Sequence, residues 1–237
     1  MQHSLSRRFH WLAVLAVLGC SHPAFPASSA IVIGFVGGFV HSNNSIHSEV
    51  QLATRLQTDY VSGVQVRMFK NHQGARAYRE ILQLLDSDND GSLSAQEKSA
   101  ARIAIYGHSW GASETVSLAR ALGEQGIPVL LTVLVDSVRK PGENNESIPP
   151  NVAQAVNFYQ RNGLLHGLKQ IRAADASRTQ ILGNFQMDYK ASVIDCEGYP
   201  WYARLFMKPH IEIESDPSVW RRVEFLIRSK LPPLAGH

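Results

Sequence analysis

Apolar runs and amphipathic stretches alternate along the chain. AIVIGFVGGFV (30–40) is continuously apolar and ends in glycines, the pattern of a strand buried on both faces that runs into a tight loop. HSEVQLATRLQ (47–57) then places Val50, Leu52 and Leu56 at helical spacing, and VQVRMF (64–69) alternates as a strand does. ARAYREILQLL (75–85) is helical again, with Tyr78, Ile81, Leu82 and Leu85 on one side. RIAIYG (102–107) predicts a short buried strand, ETVSLARALGEQG (114–126) a helix closed by Gly126, and IPVLLTVLVD (127–136) a long buried strand ending in an acid. Strand and helix alternating in this way predict an α/β fold, a mostly parallel sheet flanked by helices with right-handed crossovers.

From 137 to about 205 the pattern weakens. VAQAVNFYQ (152–160) is compatible with a further strand, but Pro, Gly and Asn clusters surround it, and the segment is expected to form a lid and pocket wall. Its Phe158, Tyr159, Phe185, Tyr199, Trp201 and Tyr202 suit either an acyl chain or the core of that excursion. SVWRRVEFLIRSKL (218–231) is amphipathic, with Val219, Val223, Leu226 and Ile227 on one face. No repeat interrupts the order, so one domain is expected over 30–231.

The first 29 residues follow another logic. Arg7 and Arg8 precede the apolar WLAVLAVLG (11–19), which is too short to span a bilayer, and small residues and prolines follow. This is the pattern of an export signal, and the expected location is periplasmic, secreted or lipid-anchored. VLGC (17–20) resembles a lipobox with Cys20 as acceptor, the one route by which a membrane enters the reading. Removing the segment takes away two arginines and no acid, so the formal charge falls from +3 to +1 and gives no support for nucleic-acid binding. Cys196 is then the single thiol, which excludes an internal disulfide and leaves a bound ion as one source of stability.

Two motifs carry chemistry. GHSWG (107–111) has the form G-x-S-x-G and stands between the strand RIAIY and the following helix. A strand-turn-helix of that form holds a serine in a sharp turn above the carboxyl edge of the sheet, with a helix N-terminus behind it favouring developing negative charge. The chain here resembles the α/β-hydrolase superfamily from about 30 to 231. The resemblance implies Ser109 as nucleophile and the N–H of Trp110 as half of an oxyanion hole. It nominates the N–H of Phe35 as the other half, with GGF (37–39) as the fallback, although the histidine of the usual His-Gly-Phe pattern is missing. The order serine, acid, histidine implies Asp136, at the end of the next strand, as the acid; Asp175, Asp188, Asp195 and Glu197 are the alternatives. His210 in KPHIEIESDPSVW is the implied base and His166 the competitor, while His108 is expected to point away from the site.

DSDNDGSLSAQE (86–97) has the spacing D-x-D-x-D-G with Glu at the twelfth place, and so resembles an EF-hand loop. That resemblance implies Ca²⁺ held by Asp86, Asp88, Asp90, the Ser92 carbonyl, Ser94 and a bidentate Glu97. No second loop is present to pair with it, so a structural ion is expected rather than a switch, and no cofactor for catalysis. The expected function is therefore an exported serine hydrolase acting on a small-molecule or lipid-like ester or thioester. The alternative is a non-catalytic calcium-binding or interaction protein on the same scaffold. Oligomeric state is not legible.

Overall fold

A computed structural model describes residues 30–191 and 194–234; the expected export signal and Cys20 lie outside the described residues. The elements are β1 (Ala30–Val36), α1 (Ser48–Asp59), β2 (Val64–Lys70), α2 (Gly74–Leu85), α3 (Ala95–Ser99), β3 (Ile103–His108), α4 (Trp110–Glu124), β4 (Val129–Val135), β5 (Ser147–Ile148), β6 (Val152–Gln160), β7 (Arg172–Ala173), β8 (Gln180–Met187), α5 (Trp201–Phe206), α6 (Lys208–Ser215) and α7 (Pro217–Arg228). Six strands form one parallel sheet in the order β2-β1-β3-β4-β6-β8. β5 and β7 pair separately.

The pleat divides the core into two layers. Val32, Ala104, Tyr106, Val133 and Phe158 face one side, where Leu52 and Leu56 of α1 and Val219, Trp220, Val223 and Ile227 of α7 cover them. Ile31, Ile33, Phe35, Ile103 and Ile105 face the other, beneath Ala77 and Ile81 of α2 and Ala112, Val116, Ala119 and Leu122 of α4. This is why the central strands read as unbroken apolar runs: residues of both parities are buried. The chain winds outward from β1 to β2 and back past it to β3, so the strand order reverses between β1 and β3. Crevices at the carboxyl ends of strands beside such a reversal are where open α/β sheets bind ligands.

Three expectations change. The helix expected from 114 begins at Trp110, immediately after the serine. The stretch 152–160, compatible with a strand, is a nine-residue strand inside the sheet, and the unexpected β8 pairs beside it, so the segment from 137 contributes two strands to the sheet. β8 is the last strand of the sheet and only partly buried, so its mixed sequence QILGNFQM lacks a clear period. The final helix ends at Arg228.

The glycines of GHSWG are required by distance. A Cβ on Gly111 would lie 2.4 Å from the Phe35 carbonyl oxygen, and one on Gly107 would lie 2.5 Å from the Gly111 carbonyl carbon. α4 thus leaves β3 in contact with the backbone of β1, and nothing larger than hydrogen fits. Gly107→Ala is expected to destabilise the fold by about 1–3 kcal/mol through overpacking against backbone, read as a lower midpoint in urea with an unchanged slope.

Candidate active site

Three of the sequence-nominated residues meet at the carboxyl edge of the sheet. Ser109 follows β3 with φ 57 and ψ −123, a conformation that costs a non-glycine residue on the order of 1–3 kcal/mol. The Ser109 N–H donates to the Val135 carbonyl at 3.0 Å, and its carbonyl accepts from Ala112, Ser113 and Val138, so neighbouring backbone holds the strained turn. Asp136 follows β4, also at positive φ (43). His210 lies on α6.

The His210 Nε2 is 2.9 Å from the Ser109 Oγ, and its Nδ1 is 2.6 Å from the Asp136 Oδ2. In the tautomer with Nδ1 protonated, His210 donates to Asp136 and accepts from Ser109. Asp136 is fully buried, His210 is 2% exposed and Ser109 7%.

The other candidates stand apart. His166 is exposed, its Nδ1 3.4 Å from the neighbouring Gly167 carbonyl. Asp188, Asp195 and Glu197 are exposed, and Asp175 is half-buried. Asp175, Asp188 and Asp195 each accept the amide N–H of a residue two positions on. Phe35 lies within β1, paired with Phe69 on one side and Gly107 on the other, so its N–H belongs to the sheet rather than to the space above Ser109. The fallback loop meets the serine instead: a Cβ on Gly37 would be 3.0 Å from the Ser109 Cβ. Trp110 opens α4, where the first amides have no partner inside the helix.

Two residues at the site carry no signal in the sequence. The Gln160 N–H and side-chain amide donate to the two Asp136 oxygens at 3.1 and 2.8 Å, and the same amide reaches the Leu165 carbonyl at 2.9 Å. Gly167 donates its N–H to the Asp136 Oδ1 at 2.7 Å, and a Cβ there would strike the Asp136 backbone at 2.5 Å. Gln160 ends β6, the next strand of the sheet after the acid.

The expectation for His108 is overturned. Its ring lies 4.5 Å from that of His210, centroid to centroid, because the residue before the nucleophile alternates to the α6 side of the turn. Behind it is a buried group: His47, which pairs through Nδ1 with Glu214, then Glu49 and Glu214 themselves. The His108 Nδ1 is 3.4 Å from the Glu214 Oε2. Burial pushes the Glu214 carboxyl up to about 8, and burial followed by the Glu214 charge pushes Glu49 upward. Burial lowers both His47 and His108.

In the loop 86–97, oxygens of Asp86, Asp88 and Glu97 come within 4.8 Å of one another. Gly91 takes φ +84 at the sixth place, and Leu93 packs against the core. Asp90 turns instead to the Ser92 N–H and hydroxyl. Glu97 forms a capping box with Ser94 and accepts from Ser87, and these hydrogen bonds, the Ser94 amide first, hold its carboxyl down to about 2. A cavity of about 600 Å³ lined by Arg120, Pro128, Val129 and Arg178 sits at the opposite end of the sheet and touches none of these groups.

The fold is a mostly parallel sheet flanked by helices. No protein-family model matches the chain, and no curated protein does. Among solved structures, an esterase from Pseudomonas putida aligns at a TM-score of 0.46 and 11% identity, covering 89% of this chain and 77% of its own. A cutinase-like protein from Cryptococcus sp. aligns at 0.44 and 15%, covering 87% and 97%. An acetylxylan esterase aligns at 0.42 and 10%, covering 87% and 100%. The likeness is one of architecture.

Two outcomes follow from this geometry. Gln160→Leu removes the amide that anchors Asp136 and is expected to cost about 1–3 kcal/mol in urea unfolding, the penalty of leaving a buried acceptor short of a donor. Cys196 is buried and its thiol pushed up by that burial, so it is mostly protonated at neutral pH. Ellman's reagent should therefore modify it slowly in the folded protein and promptly in urea.

Proposed function

We propose that the chain is an exported serine hydrolase that cleaves ester or thioester bonds. The observation that carries the reading is the continuous hydrogen-bonded line from the strained Ser109 through His210 to Asp136. His210 accepts the Ser109 proton as the oxygen attacks the carbonyl carbon, and Asp136 holds the imidazole in the required tautomer. The oxyanion forms beside the Trp110 N–H and the backbone of the loop 37–39. His210 returns the proton to the departing alcohol or thiol, then takes one from the water that hydrolyses the acyl-enzyme. Phe39 is almost wholly exposed and meets Trp110 edge-on, 5.9 Å between centroids, an apolar rim beside Ser109 that suits an acyl group.

Ca²⁺ in the loop 86–97 completes the reading. Asp86, Asp88 and Glu97 offer hard oxygens at mutual distances a single ion spans, with the Ser92 carbonyl and Ser94 as further ligands and Asp90 turning inward. The ion would neutralise clustered carboxylates and fix the crossover into β3; it takes no part in the acyl transfer.

A fluorophosphonate probe should label Ser109 in the wild type and leave Ser109→Ala unlabelled. His210→Ala should lower kcat/KM on p-nitrophenyl esters by about a thousandfold or more. Folded, calcium-loaded protein that is neither labelled nor active on esters or thioesters would replace this reading with a non-catalytic calcium-binding or interaction protein. Ca²⁺ at a hundredfold excess over Kd should stabilise by about 2.7 kcal/mol and raise Tm by roughly 5–10 °C. Glu97→Gln should abolish most of that rise.

A further inference from the structure

His47, Glu49 and Glu214 bring one ligand atom each to within 4.8 Å of one another, in a place almost closed to water. Their exposures are 7, 0 and 3%, so this is not a solvated acidic patch. No hydroxyl, lysine or arginine donor and no amide of another residue reaches either oxygen of the Glu49 carboxyl group, whose neighbour is the carboxyl group of Glu214. Among the described residues, no lysine or arginine pairs with Glu49 or Glu214; the only basic groups on Glu214 are His47 and His108. Two carboxyl groups are thus enclosed beside two imidazoles with no lysine or arginine to pair with them, an arrangement that is costly to ionise unless something positive completes it.

We propose that His47, Glu49 and Glu214 bind one divalent transition-metal ion, with Zn²⁺ as its representative. A divalent ion cancels the two carboxylate charges. One imidazole nitrogen with two carboxylates is a donor set of the zinc class, whereas Ca²⁺ and Mg²⁺ prefer oxygen alone. The His108 Nδ1, 3.4 Å from the second Glu214 oxygen, is the nearest further donor. The elements are prepared for such a tie. His47 caps α1, Glu49 is in its first turn with its carbonyl held by the Tyr106 hydroxyl at 2.8 Å, and Glu214 lies four residues beyond His210 on α6. The ion would join the start of α1 to the helix that carries His210, positioning that imidazole from behind through the His108 ring. Its binding does not require Ser109 to be catalytic.

The test uses the intact chain purified without chelator, with Ca²⁺ kept saturating throughout so that the loop 86–97 does not change. Metal analysis should find about one equivalent of transition metal. After stripping and return to Ca²⁺, Zn²⁺ should raise Tm, and Co²⁺ should give visible d–d bands of a nitrogen–oxygen site. Glu49→Gln and His47→Gln should each weaken Zn²⁺ binding at least about tenfold, and Glu97→Gln should leave it unchanged. Metal-free wild type whose Tm ignores Zn²⁺ would overturn the proposal, leaving the carboxyl pair to be neutralised by protons. An equal Zn²⁺ response in Glu49→Gln and His47→Gln would overturn it too, since the ion would then sit elsewhere.

Discussion

The structure is organised around a buried carboxyl group beside the candidate nucleophile. Asp136 is wholly enclosed, and among the described residues no lysine or arginine pairs with it. An isolated ionised carboxylate in such a place costs several kcal/mol or more, so it persists only where donors are fixed in advance. Four hydrogen bonds reach its two oxygens, from the Gln160 amide N–H and side chain, Gly167 and His210. They come from the end of β6, the loop directly beyond it and, far from both in sequence, α6. Meeting those bonds fixes the path of the chain over the sheet edge, and the imidazole that supplies the last of them is thereby aimed at Ser109.

The opposite half of the site is fixed by proximity rather than charge. Ser109 keeps an unfavourable backbone conformation because β3 and α4 meet at Gly107 and Gly111 with no room to relax. The same closeness sets the Gly37 backbone beside the serine. Two costs, a strained turn and a buried carboxylate, are thus offset by different means: packing between β1 and α4 on one side, and directed hydrogen bonds on the other. A mutation on either side is felt at His210, which touches both.

What was legible in the sequence follows from this division. The strands β1, β3 and β4 are buried on both faces and announce themselves as apolar runs, and GHSWG is a local pattern whose glycines have local reasons. Asp136 and His210 were reachable through the order serine, acid, histidine that the resemblance implies, since one ends the strand after the serine and the other precedes the final helix. The partners of Asp136 were not. Gln160 is an ordinary strand-end glutamine, and only the position of a neighbouring strand makes its amide a support. β8, half-exposed at the end of the sheet, has too weak a period to be found. The inward side of His108 was equally hidden, because it depends on α6, whose sequence KPHIEIES reads poorly as a helix until Pro209 is seen at its start.

The group behind His108 extends the same logic. Asp136 shows that this fold surrounds a buried carboxylate with donors where its ionised form is needed, and it does so with four. Glu49, equally enclosed, meets no amide or hydroxyl donor of another residue and lies against the Glu214 carboxyl group. A side chain that needed only to fill space there would be apolar, as Leu52 and Leu56 are on the same helix. Two glutamates and a histidine converging from α1 and α6 are instead the residues expected where a positive ion completes the structure, and where that ion ties the support of His210 to the opposite end of the chain.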